Sequence, residues 1–166
     1  NKIEEDENGF RIGCMVTLHN IETHEGLNKE FQNLFKEATR HIVGVQFRNC
    51  ATVGGSIFPK LGFSDVLTAF LACDTQVVLY KKGEVSLREF IYMPVDNDIL
   101  THLYVKKDGR ETVYESFRMT ETDFPTITCA VAKVGEGFET VLGARPKHAE
   151  VVVDEVVADA FSSEEV

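Results

Sequence analysis

Arg48-Asn49-Cys50-Ala51-Thr52-Val53-Gly54-Gly55-Ser56-Ile57-Phe58-Pro59-Lys60-Leu61-Gly62-Phe63-Ser64-Asp65 is the stretch around which this 166-residue chain is organised. Helical apolar spacing lies on both sides of it, yet the stretch itself is rich in Gly, Pro and small polar residues. A purely structural link usually spans about 2–6 residues, so this one is long. It is also rich in hydrogen-bond donors. Gly54 and Gly55 can take positive φ without steric cost, which would let successive backbone N–H groups converge on one point. A nest of that kind holds anionic oxygens, and the hydroxyls of Thr52 and Ser56 can donate to the same oxygens. The competing reading is a tight glycine turn with no ligand. These residues alone leave both open.

Composition bounds the answer. Apolar content of 43% and charged content of 27% are ordinary for a globular chain of one domain or two small ones. No run approaches the roughly 18 apolar residues of a membrane span, and the acidic start Asn1 to Asp6 is no signal peptide. With 27 acids against 17 bases the net charge is −10. Such a field repels nucleic acid, whose binding rests on neutralised phosphates. Cys14, Cys50, Cys73 and Cys129 form no Cys-x-x-Cys pair, so no zinc or iron–sulfur site is indicated. Their scatter suits a reducing cytoplasm.

Along the chain, Phe10 to Met15 reads as a short strand, and Thr17 offers an N-cap to a helical stretch through Leu18 and Ile21. Phe31, Leu34, Phe35, Ala38 and Ile42 predict one helix over about 28–43. Ser64 or Asp65 caps a helix that is apolar almost all round, hence buried on most sides. Gln76 to Tyr80 predicts a strand, with a turn at Lys81-Lys82-Gly83 and a return through Leu87. Thr101–Lys107 and Thr112–Met119 predict a hairpin across Asp108-Gly109. Ile127–Val134 and Phe138–Leu142 predict another across Gly135-Glu136-Gly137. Ala149–Phe161 has helical spacing, although its valines allow a strand.

Arg48-Asn49, Ala51-Thr52-Val53-Gly54-Gly55-Ser56 and Ser64-Asp65-Val66-Leu67, preceded by Ile42 and Gln46, resemble the FAD-binding (medium) subunit of the molybdenum hydroxylases. That family includes xanthine dehydrogenase, nicotinate dehydrogenase and the carbon monoxide dehydrogenase flavoprotein. The resemblance continues through Arg88 to Pro94 and over the second half of the chain. It implies an α+β fold: the second half of a PCMH-type FAD-binding domain over residues 1–99. Part of a small antiparallel α/β C-terminal domain would follow over 100–166. It assigns FAD contact to Ile42, Ala51, Thr52, Val53, Gly54, Gly55, Ser56, Ser64, Asp65, Leu100 and Arg118, with Asp65 on hydroxyls and the glycine loop on diphosphate.

Two residues depart from the family pattern. Ser56 stands where the family has Asn or Asp, and Arg118 where it has Lys. A guanidinium keeps the charge but offers a planar fork.

The implied function is electron transfer. Electrons pass from iron–sulfur clusters through FAD to an acceptor such as NAD, beside an iron–sulfur subunit and a molybdopterin-binding large subunit, in the cytoplasm. No catalytic or metal-ligating residue is assigned, and neither nucleic acid nor a membrane is an expected partner. Relatives carry a further Ala-Gly-Gly loop upstream, so the expectation is that the 166 residues alone hold FAD weakly or not at all. A second reading is a cofactor-free scaffold or interaction module derived from the family.

Overall fold

The computed structural model describes residues 1–94, 96–144 and 147–152. The chain opens with β1 (Ile3–Glu5) and β2 (Gly9–Gly13), an antiparallel pair whose turn is fixed by Asp6 Oδ1 accepting from the N–H groups of Asn8 and Gly9. Thr17 caps α1 (Leu18–Thr23), its hydroxyl oxygen accepting from Asn20 N–H. α2 (Glu25–Glu30) and α3 (Leu34–Thr39) follow.

The single helix expected over 28–43 is thus broken, at Gln32 and Asn33, which take φ of 44° and 65°. Asn28 accounts for the break. Its buried amide donates to the carbonyls of Ile21, Glu22 and His24, and its Oδ1 accepts from Lys36 N–H. One side chain therefore satisfies backbone groups that α-helical pairing would otherwise have to serve. The apolar spacing persists because Leu27, Phe31, Leu34, Phe35 and Ala38 all enter the same core.

Two short helices, α4 (Val45–Arg48) and α5 (Val53–Ile57), precede α6 (Asp65–Leu71). All seven residues of α6 are buried, as its apolar circumference predicts. Ser64, not Asp65, is the cap that bonds Leu67 N–H. Next come β3 (Thr75–Leu79), β4 (Gly83–Ser86), α7 (Leu87–Phe90), β5 (Leu100–Lys106), β6 (Glu111–Phe117), β7 (Ile127–Val134), β8 (Gly137–Gly143) and β9 (Glu150–Val152). The strands form two antiparallel sheets, ordered β1-β2-β5-β3-β4 and β6-β7-β8-β9. The fold is α+β, as expected. α6 joins the halves: it packs on α3, α5 and α7 and also meets β7, β8 and β9. Thr68 and Thr128 share a buried hydroxyl bond at 3.0 Å where it crosses the second sheet.

The hairpin expected across Asp108-Gly109 does not form. β5 inserts between β2 and β3, with Leu103 opposite both Ile12 and Val77, while β6 pairs with β7. Gly109 does take a positive φ of 73°, but the segment carries the chain from one sheet to the other. Leu103 and Val105 gain complete burial in the first sheet, which a two-stranded ribbon cannot provide. The chain passes from the first sheet to the second over residues 107–110. The second hairpin forms as expected. Within Ala149–Phe161, Glu150–Val152 is strand, the alternative its valines allow; residues 153–161 lie outside the described residues.

Candidate functional site

The glycine pair does not form a positive-φ nest. Gly54 and Gly55 lie in α5, and neither has positive φ. Their amides are largely spent inside the protein: Val53 N–H bonds the Val16 carbonyl, and Gly54 N–H that of Cys14 at 2.7 Å. Gly55 N–H bonds the hydroxyl oxygen of Thr52, the helix cap. Close approach is what makes a side chain at 54 untenable, since a Cβ there would stand 2.8 Å from the Cys14 carbonyl oxygen. Gly55 is exposed, and an added Cβ would meet only the Thr52 hydroxyl, tightly, at 3.1 Å.

Beside α5 lies a cavity of about 630 Å³, within the range of small-molecule clefts. It is bounded by the segment after α3, the turns flanking α5, the first residues of α6 and the β6–β7 connection, so both halves of the molecule build it. Ile42, Ala51, Thr52, Gly55, Ser56, Ser64, Asp65 and Arg118 line it. Val53 and Gly54 do not, being turned into the packing beneath, and Leu100 is buried in the first sheet opposite Leu79. Eight of the eleven residues singled out from the sequence are thereby brought together.

Sequence reasoning missed much of the apolar wall: Val43, Phe47, Leu61, Phe63 and Phe124. Phe63 directly precedes the Ser64-Asp65 cap, a signal that was available; Phe124 has no local signal. Val43 takes φ 50°, a rare state for a β-branched residue.

The polar centre of the cavity is Asp65. Its Oδ1 accepts from the Tyr114 hydroxyl at 2.6 Å and from Arg118 Nη2. Burial pushes the Asp65 carboxyl above the usual carboxylate range, against the opposing pull of Tyr114 and Arg118. Arg118 Nη1 donates to the Asp123 carbonyl at 2.6 Å. Arg118 Nε is the one buried side-chain nitrogen or oxygen without a partner among the described residues. Thr52 Oγ1 accepts from Gly55, which leaves its own proton available for donation.

A second cation, Arg48, is committed elsewhere. It holds Glu22 through Nε and Nη2 and also bonds the Ile42 carbonyl. Burial raises the Glu22 carboxyl, but Arg48 and His19 more than compensate and lower it. No group of three or more His, Cys, Asp or Glu that could hold a metal ion occurs among the described residues. No helix among them is long and apolar enough to cross a membrane.

Residues 1–105 match the family described as the FAD binding domain in molybdopterin dehydrogenase. The chain belongs to this family. Over 141 residues it is 27% identical to the glyceraldehyde dehydrogenase medium chain of Sulfolobus acidocaldarius, covering 80% of this chain and 50% of that protein. Over 77 residues it is 31% identical to the nicotinate dehydrogenase FAD-subunit of Eubacterium barkeri, covering 46% of this chain and 26% of that subunit.

Among solved structures, quinoline 2-oxidoreductase from Pseudomonas putida 86 superposes with a TM-score of 0.81 at 16% identity, covering 96% of this chain and 64% of that one. Carbon monoxide dehydrogenase from Hydrogenophaga pseudoflava superposes at 0.78 with 23% identity, covering 91% and 57%. The chain spans about half the length of the curated relatives it matches over most of its own length. As a molybdopterin dehydrogenase FAD-binding domain it has FAD as its family cofactor and belongs to a family of oxidoreductases.

Proposed function

We propose that the cavity beside α5 is where this chain holds FAD, as part of an electron-transfer subunit. The observation that carries the reading is the meeting of Ile42, Thr52, Gly55, Ser56, Asp65 and Arg118, scattered over 77 positions of sequence, on one cleft. The residues fit such a group. Ile42, Phe47 and Leu61 offer apolar surface to planar rings. The Thr52 hydroxyl, which accepts from Gly55 N–H, keeps its own proton to offer a diphosphate, and the orphaned Arg118 Nε–H is a buried donor awaiting an acceptor. The Val53 and Gly54 amides, already bonded, take no part.

Bound FAD would supply the redox chemistry; the chain's own residues position it and set its electrostatics. In the fuller reading, electrons arrive from an iron–sulfur subunit served by a molybdopterin-binding large subunit, and leave to an acceptor such as NAD. Those subunits are the proposed partners, in the cytoplasm, and the chain alone is proposed to be inactive.

Titration of FAD against the chain, read by flavin fluorescence, tests the cavity. Expected is saturable one-to-one binding in the micromolar range or weaker, made at least tenfold weaker by Gly55→Val, which fills the space beside Thr52. Equal binding by both proteins would take the loop out of the mechanism. No uptake even at millimolar FAD would favour a cofactor-free module.

A further inference from the structure

The connection from β6 to β7 lines the cavity through Thr122, Asp123 and Phe124 and meets its other wall through side chains. Phe124, 73% exposed, meets Phe63, 40% exposed, at a ring-centroid distance of 4.5 Å and an interplanar angle of 57°. Phe63 comes from the segment before α6 and Phe124 from the other half of the molecule; both line the cavity. The Phe63 side is anchored. Ser64 Oγ donates to the Ser56 carbonyl, and buried Lys60 donates to the Met93 carbonyl.

The Phe124 side has few internal ties. Asp123 N–H bonds the Thr120 carbonyl, and Thr126 N–H bonds that of Phe117. Its main inward tie is Arg118, which joins the Asp123 carbonyl to Asp65 while its own Nε stays unpaired. His41 and Glu121 add a loose 3.8 Å contact between the two segments.

We propose that residues 120–125 form a strap over the cavity, closed by the Phe63–Phe124 clasp and latched by Arg118, which opens to admit and release the ligand. An aromatic pair shifts such an equilibrium by only about two- to tenfold, enough to favour closure without trapping the ligand. Arg118 couples the two events. An acceptor atom of the ligand on Nε holds the guanidinium in place, and with it the Asp123 carbonyl. Occupancy then favours closure, and closure slows escape.

Amide hydrogen exchange of the chain tests the strap without any ligand. Phe63→Ala changes nothing in the strap's own sequence, yet exchange at Asp123 and Thr126 is expected to quicken about two- to tenfold, with α6 unchanged. Phe124→Ser should reproduce the effect from the other side. Unchanged exchange at both positions in both variants would overturn the proposal.

A second measurement rests on the FAD reading. In stopped-flow mixing with FAD, Phe63→Ala and Phe124→Ser should raise association and dissociation rates by similar factors. A rise in dissociation alone would make the rings ligand contacts and overturn the strap. If the unaltered chain takes up no FAD, the cofactor reading fails, and the exchange measurement alone decides the strap.

Discussion

Asp65, the first residue of α6, and Arg118, the residue after β6, form an ion pair between the two halves of the molecule, each side chain less than a tenth exposed. Breaking a buried pair by removing one partner strands the other charge, at a cost of about 3–5 kcal/mol. Arg118→Met should therefore lower the urea-unfolding free energy by roughly that amount. Arg118→Lys keeps the charge without the fork and should fall between the two. A loss below about 1 kcal/mol for Arg118→Met would show a solvated pair of the surface kind.

A pH dependence follows from the second sheet's attachment to α6. Arg110, 5% exposed, donates to the carbonyl of Ala72, the C-cap of α6, and pairs with Asp108. A cation at a helix C-terminus also meets the favourable end of the helix dipole. The bond from Arg110 holds the Asp108 carboxyl below its ordinary value, burial opposing. Because the folded value is depressed, the stabilisation is complete above the unfolded carboxyl's pKa of about 3.9 and fades as pH falls through the folded one. Asp108→Asn should be less stable than the unaltered chain at pH 7, and the gap should narrow below about pH 4 in thermal unfolding curves. A gap that does not change with pH would mean the carboxylate's charge contributes nothing.

Gly143 stands close against Thr68 of α6 and Thr128 of β7. A Cβ there would fall 2.1 Å from Thr128 Oγ1 and 2.2 Å from Thr68 Oγ1. Overpacking typically costs about 1–3 kcal/mol, occasionally more, and Gly143→Ala is expected at the upper end of that range by chemical denaturation. It should also weaken the Thr68–Thr128 bond. Wild-type stability in the variant would mean that the sheet can lift from the helix without penalty.

The two neighbouring glycines should separate stability from binding. Gly54→Ala forces the Cys14 strand end away from α5 and should lower the melting temperature by several degrees, for a loss of about 1–3 kcal/mol. Gly55→Ala meets only the Thr52 hydroxyl, at 3.1 Å, and should lose less stability than Gly54→Ala, while reducing FAD uptake. If both lose stability equally, Gly55 is a packing residue and not part of the cavity's surface.

How far the site could be read in advance depended on the kind of information each residue carries. Thr17 was legible as a cap, and the cap of α6 was narrowed to Ser64 or Asp65, because a cap is a local hydrogen bond. The buried helix at Val66–Leu71 was legible because apolar residues all round leave no solvent face. The break at Asn33 was not, since it depends on where the Asn28 amide finds carbonyls once α1 has folded back. Nor was the partner of β5: alternation says that a strand exists, not which edge accepts it.

The sequence was enough to place the Thr17 cap, the buried helix and the second hairpin, and the motif around Gly54 and Gly55 was enough to point to the family. Three things waited on the tertiary structure. Val53 and Gly54 spend their amides on Val16 and Cys14, β5 joins the first sheet, and Asp65 meets Tyr114 and Arg118, 49 and 53 residues away. The physical reason is common to all three: backbone and buried polar groups must find partners, and which partner is within reach is known only once distant segments have packed.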